Sequence, residues 1–157
     1  SRGLGDVYKR QVVLRARTLQ ELGPFDTTLR VGEDYDLWLR LSQAGRIVKL
    51  ADVAALYRIW PGSASRHPHR INHELFVLER ALQRWGPKGT DGSTVDPVQL
   101  CARLQRLELD HAGLHLDRGD ARVALAGYGR ALRHQPMQPR LWLKLLQSVV
   151  QARVPRA

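Results

Sequence analysis

One cysteine, one methionine and two phenylalanines stand in a chain of 157 residues. A single thiol, Cys101, cannot close an internal disulfide, so no covalent staple holds the fold, and a reducing compartment suits it. Long apolar runs are also missing. The strongest, LWLKLLQSVV, is broken by Lys144, Gln147 and Ser148 and falls short of the roughly 20 apolar residues that a membrane span needs. The opening residues lack the pattern of a secretory signal. No glycine-rich phosphate loop and no Ser/His/Asp arrangement is recognisable.

Acids are scarce beside bases, 15 against 25, for a formal net charge of +10. The bases are mostly arginines scattered along the chain, with no dense basic block and no basic strand interleaved with aromatics. That pattern describes a solvated basic surface, and no nucleic-acid partner is expected. At 43% hydrophobic and 25% charged, the composition is that of a globular protein able to bury a core.

Residues 1–11, SRGLGDVYKRQ, show no periodicity. Their DVYKRQ resembles the in-frame translation of GATGTGTATAAGAGACAG, the end of a common sequencing transposon. The expectation is that residues 1–11 are an artefact, that the native sequence begins near Val12, and that coding sequence upstream of it has been lost.

From Val12 the pattern reads as mixed α and β. VVLRARTLQELG begins as a short apolar strand and becomes a helix ending at Gly23. GPFDTTLR makes a turn, with Pro24 fixing the backbone and Phe25 placed to anchor it. EDYDLWLRLSQAG is a helix stopped by Gly45. RIVKL and VAALYRIW read as two strands separated by Ala51 and Asp52. PGSAS is a loop, and HRINHELFVLERALQRWG a helix of about four turns. GPKGTDGSTVDP concentrates turn residues, so a boundary falls at 87–96, separating a unit over 12–86 from one over 97–157. The second unit reads as three helices, over 97–116, 120–134 and 139–152.

Three carboxylates crowd the start of the EDYDLWLRLSQAG helix. On a wheel of about 100° per residue, Asp34 lies three residues before Leu37, four before Trp38 and seven before Leu41, on the apolar stripe. Asp36 falls on the opposite side, four residues before Arg40, as an exposed ion pair. Glu33 lies at the edge and suits capping. Two readings fit the inward Asp34: a capping carboxylate, or a general base opening onto a cleft.

Residues 19–65 resemble the C-terminal half of a family 2 glycosyltransferase catalytic domain. The likeness rests on a helix ending in Gly-Pro-Phe-Asp, then Glu-Asp-Tyr-Asp-Leu with Arg40 following, a Gly, a strand ending in Tyr-Arg, and a Ser-x-Ser loop. The resemblance implies an α/β domain of the GT-A fold, followed here by an all-α tail. It implies inverting transfer of a sugar from a nucleotide-diphosphate sugar to a glycan or lipid-linked acceptor, in polysaccharide or glycoconjugate synthesis. Asp34 then corresponds to the base that deprotonates the acceptor hydroxyl. Glu33 and Asp36 would hold acceptor hydroxyls or orient the site, Arg40 would brace the helix, and Phe25 and Asp26 match the turn leading to the cleft. Arg58, Ser63 and Ser65 match the segment closing over the donor phosphates; a surface arginine closing a strand is the other reading of Arg58. Trp60 stands where many relatives carry His, and either stacks on a sugar or packs.

The family's nucleotide-binding strands and its Asp-x-Asp metal motif would lie before Val12. The divalent metal they hold, Mg or Mn, is expected of the full-length enzyme and has no ligands in this stretch. Sugar transfer is therefore not expected of the 157 residues alone. The implied location is cytoplasmic, or peripheral at the inner membrane surface.

RGDARVALAGYGRALRHQP resembles the second half of a tetratricopeptide repeat, with Gly119, Ala124, Tyr128, Ala131 and Pro136 at that repeat's spacing. Leu100, Leu104, Leu107 and Leu114 form a stripe on the preceding helix, while His111 and His115 take positions usually apolar or aromatic. The expectation is a helical hairpin capped by the helix over 141–150, docking on the transferase part or on a protein partner, with an ordinary packed appendage favoured over a peptide-binding groove. A non-catalytic helical-repeat interaction module is the alternative function. His69 and His73 share a helical face, but no third metal ligand accompanies them, and solvated histidines are the simpler reading. Cys101 reads as a small packing residue.

Overall fold

The computed structural model describes residues 12–48, 51, 69–134 and 136–153. Six helices are present: α1 (Ala16–Leu22), α2 (Glu33–Ala44), α3 (His73–Trp85), α4 (Pro97–Asp117), α5 (Ala121–His134) and α6 (Pro139–Arg153). Among the described residues there is no β-strand. This overturns the expected α/β architecture and with it the GT-A fold. Val12 and Val13 lie in irregular chain ahead of α1, with Val13 93% exposed and no strand beside it among the described residues. Ile47 and Val48 are likewise exposed in irregular chain after α2. The strand expected over 53–60 lies outside the described residues, as does the proposed artefact at 1–11. None of the described helices is long and apolar enough to cross a membrane.

The chain divides into two compact units, Ser1–His67 with Val77–Ser93 and Pro68–Phe76 with Thr94–Ala157. The division falls within α3.

In the first unit, α1 ends at Gly23 and α2 begins after Gly32. Gly32 has φ 85°, a left-handed conformation that side-chain-bearing residues rarely adopt, and its carbonyl accepts the first helical hydrogen bond from Asp36 N–H at 3.0 Å. Leu37 and Leu41 are buried along one face of α2, and Val77 of α3 is buried in the same unit.

In the second unit, sequence signals set the helix ends. Asp96 caps α4 by accepting Val98 N–H at 3.1 Å, with Pro97 at the first helical position, where its missing N–H costs nothing. Gly119, at φ 77°, lets the chain turn back within three residues into α5. Asn72 caps α3 by accepting Leu75 N–H at 3.2 Å, which explains why that helix starts later than its periodicity suggests. The Asn72 amide also donates to the Leu107 carbonyl of α4 at 2.9 Å.

α4 and α5 form an antiparallel hairpin built on small residues. Ala112, Ala124 and Ala131 are fully buried with Tyr128, and a methyl placed on Gly127 would lie 2.8 Å from Ala112 Cβ. α6 adds Leu141 to that core, with Leu145 packed against it. A core of alanines and one tyrosine brings helix backbones close, and buries less apolar surface per residue than a leucine core would.

Candidate functional site at the start of α2

Glu33, Asp34 and Asp36 all fall in the first turn of α2, where the helix dipole favours negative charge. Their environments differ. Asp34 is 6% exposed, and its Oδ1 accepts the Tyr35 N–H at 2.8 Å. The residue at the helix-capping position is Gly32, which has no side chain, so Asp34 acts from inside the first turn. Glu33 is half-buried.

Asp36 is also 6% exposed, which corrects the expectation of a solvent-facing ion pair. The pairing with Arg40 is made, Nε to Oδ2 at 2.9 Å, but it is covered. The wheel places Asp36 away from Leu37 and Leu41 correctly; what it cannot show is that this second face is occupied too. The guanidinium of Arg40 continues to the C-terminal end of α1, donating from Nη1 to the Leu22 carbonyl at 2.8 Å and from Nη2 to the Pro24 carbonyl at 2.9 Å. The Leu22 carbonyl ends α1 without a helical donor and the Pro24 carbonyl lies in the turn beyond it, so Arg40 satisfies backbone groups at the helix end and ties α1 to α2.

Arg80 of α3 closes the arrangement. Its Nη2 lies 2.5 Å from Asp26 Oδ2 and 3.4 Å from Asp36 Oδ1, so one cation bridges the turn and the helix. Asp26 Oδ1 accepts the Thr28 hydroxyl at 2.6 Å and the Thr28 N–H at 3.0 Å. The Thr28 hydroxyl first, and Arg80 second, hold the Asp26 carboxyl down to a pKa of about 2. Asp26 in turn holds Arg80 more firmly protonated.

The structure thus brings together Asp26, Asp36 and Arg40 of the expected residues, through Arg80, which sequence reasoning missed. Arg80 lies 54 residues from Asp26, and no local spacing signals that pairing. Phe25 is 46% exposed instead of anchoring the turn. Arg58, Trp60, Ser63 and Ser65 lie outside the described residues. Among the described residues, no group of three or more His, Cys, Asp or Glu side chains could hold a metal ion.

A second polar cluster lies in the 94–157 unit. His111 and His115, one turn apart on α4, both contact the His69 carbonyl through Nε2, at 2.8 and 2.9 Å. Beside them Glu108 is 1% exposed and pairs with Arg130 of α5. His115 is buried and His111 half-buried, and both rings tether the His69 backbone to α4.

No protein-family model, no curated protein and no solved structure matches this chain.

Proposed function

We propose that the α2 segment is the acceptor side of an inverting sugar-transfer site, with Asp34 as its general base. One observation carries this: Asp34 is buried on the apolar side of the first turn of α2, 6% exposed, with its Oδ1 held by the Tyr35 N–H at 2.8 Å. The resemblance of residues 19–65 to family 2 glycosyltransferases supports the same assignment. Asp36 is then a bracing residue, not an acceptor ligand.

In that reaction Asp34 accepts the proton of an acceptor hydroxyl as its oxygen forms a bond to the anomeric carbon of a nucleotide-diphosphate sugar. The bond from that carbon to the diphosphate breaks, and the nucleoside diphosphate leaves with the electron pair. A positioned base contributes about 10²–10⁴-fold to such a step. The test is nucleoside-diphosphate release by the product of the complete genomic reading frame, wild type against Asp34→Asn. A fall in kcat of about that size, with donor KM and the unfolding midpoint unchanged, is the expected result. Near-normal turnover would remove Asp34 as the base.

A separate observation favours a second reading for α4–α6, an interaction module: among the described residues α6 packs through Leu141, Leu145 and Ser148 and leaves Trp142, Leu143, Leu146 and Val150 exposed.

A further inference from the structure

We propose that α6 docks an amphipathic helix with an acidic flank, supplied by a partner protein. This rests on the interaction-module reading and names the chemistry of what binds.

The surface is built by helical geometry. Leu141 and Ser148 point into the hairpin and are buried, with Leu145 beside them. About a quarter turn round the helix lie Trp142 and Leu146, followed by Val150 and Leu143, all more than half exposed. Met137, 91% exposed, extends this face into the turn before α6. Pro136, Met137, Pro139, Trp142, Leu143 and Leu146 line an open groove of about 710 Å³. Apolar side chains at successive helical turns form the kind of stripe that receives the i, i+3, i+4 and i+7 positions of another helix. A flexible methionine at the end of such a groove adapts to the partner's shape.

Charge selects the occupant. From Ala121 to Ala157 the sequence contains no Asp and no Glu, while Arg140 and Lys144 lie on α6 and Arg122 and Arg133 on α5; Arg130 of α5 is taken up by Glu108. Arg140 and Gln147 border Leu143 on the wheel, and Lys144 follows them toward α5, with its ammonium 5.8 Å from the centre of the Tyr128 ring. An acidic flank meets complementary charge along this rim; a second copy of the chain would present the same acid-free helices and a net charge of +10. An anionic membrane is the less suited occupant. The indole N–H of Trp142 donates to the Pro136 carbonyl at 2.9 Å, so the ring serves as a fixed groove wall and has no polar handle left for a lipid headgroup.

The test uses the full chain and two labelled synthetic peptides with one leucine stripe, flanked by glutamates in one and by lysines in the other. Fluorescence anisotropy is expected to show binding of the glutamate peptide at least about tenfold tighter than the lysine peptide, weakening with salt. Leu143→Ser with Leu146→Ser should abolish binding, and Arg140→Glu with Lys144→Glu should invert the charge preference. All four residues are exposed, and an unchanged thermal unfolding curve verifies that each variant is folded. Equal binding of the two peptides would overturn the acidic partner while leaving an interaction surface. Binding of neither would overturn the interaction-module reading along with it. Preferential binding to vesicles of phosphatidylglycerol and phosphatidylcholine, or self-association through these residues in sedimentation, would replace the proposed occupant.

Discussion

Arg130 on α5 lays its guanidinium against both oxygens of Glu108 on α4, Nε to Oε1 at 2.5 Å and Nη2 to Oε2 at 3.0 Å. Glu108 is buried among alanines, and Arg130 keeps 43% of its side chain in water. The two bonds are parallel and directed, the geometry in which arginine and carboxylate bind most strongly. Removing the arginine leaves a buried charge with its main partner gone. Arg130→Ala is expected to lower stability by about 3 kcal/mol, the low end for breaking a buried pair because half of Arg130 is solvated already. Replacing both residues with leucine and methionine should recover most of that loss. Urea unfolding of Glu108→Leu, Arg130→Met and the double variant measures the coupling, and additive effects would show that the pair is not coupled.

The two glycines of α5 respond to the same substitution with opposite signs. A Cβ on Gly127 would lie 2.8 Å from Ala112 Cβ and 3.6 Å from the Glu108 carbonyl, inside the hairpin. A Cβ on Gly129 meets nothing within 4 Å. Gly129→Ala is therefore expected to stabilise by about 0.5–1 kcal/mol through helix propensity alone. Gly127→Ala gains the same propensity but forces the helices apart, at about 1–3 kcal/mol, and should be destabilising on balance. Thermal unfolding of both variants checks the pair of signs, and stabilisation at both positions would contradict the close approach.

The contrast between these glycines marks what the sequence makes legible. The ends of α4, α5 and α6 are written locally, in Asp96–Pro97, Gly119 and Pro139, and the expected helices over 97–116, 120–134 and 139–152 match the observed ones to within a residue. The inward turn of Asp34 follows from helical periodicity as well. By contrast, the clasp of Asp36 depends on Arg80, whose approach no periodicity encodes. At Val12 the β-branched residues record a preference for extended backbone, which alone does not make a strand, and none forms there among the described residues. Gly127 and Gly129 look alike in the sequence and differ only in what faces them.

Arg40 supplies a test of the clasp that is independent of any chemistry at Asp34. Its planar fork reaches Asp36 and the Leu22 and Pro24 carbonyls together, which a single ammonium cannot reproduce. Arg40→Lys keeps the charge and is nonetheless expected to destabilise by about 1–3 kcal/mol, as the carbonyls and part of Asp36 lose their donors. Hydrogen exchange should locate the loss in α1 and the start of α2. A lysine variant with wild-type protection across α1 would show that charge alone suffices.

His111 gives the second unit a dependence on pH. Its Nε2 reaches the His69 carbonyl, its Nδ1 is buried with no hydrogen-bond partner among the described residues, and the His115 ring lies 4.6 Å away. A carbonyl accepts only from a nitrogen that carries hydrogen, so the neutral ring with the proton on Nε2 fits this contact. Burial above all, with His115 and Arg130 nearby, depresses the pKa of His111 below 6.5, against smaller opposing effects of the His69 carbonyl and Glu108. His73 is depressed in the same direction, first by burial and then by His69. Because the folded pKa lies below the unfolded one, the unfolded chain binds more protons as the solution is acidified. The associated stability is present above pH 6.5 and is lost as pH falls from there through the folded pKa. The urea midpoint is expected to drop between pH 7 and pH 5. In His111→Leu, which cannot titrate there, the drop should be shallower, with the His73 share remaining. An unchanged slope in that variant would mean that the proton responsible binds elsewhere.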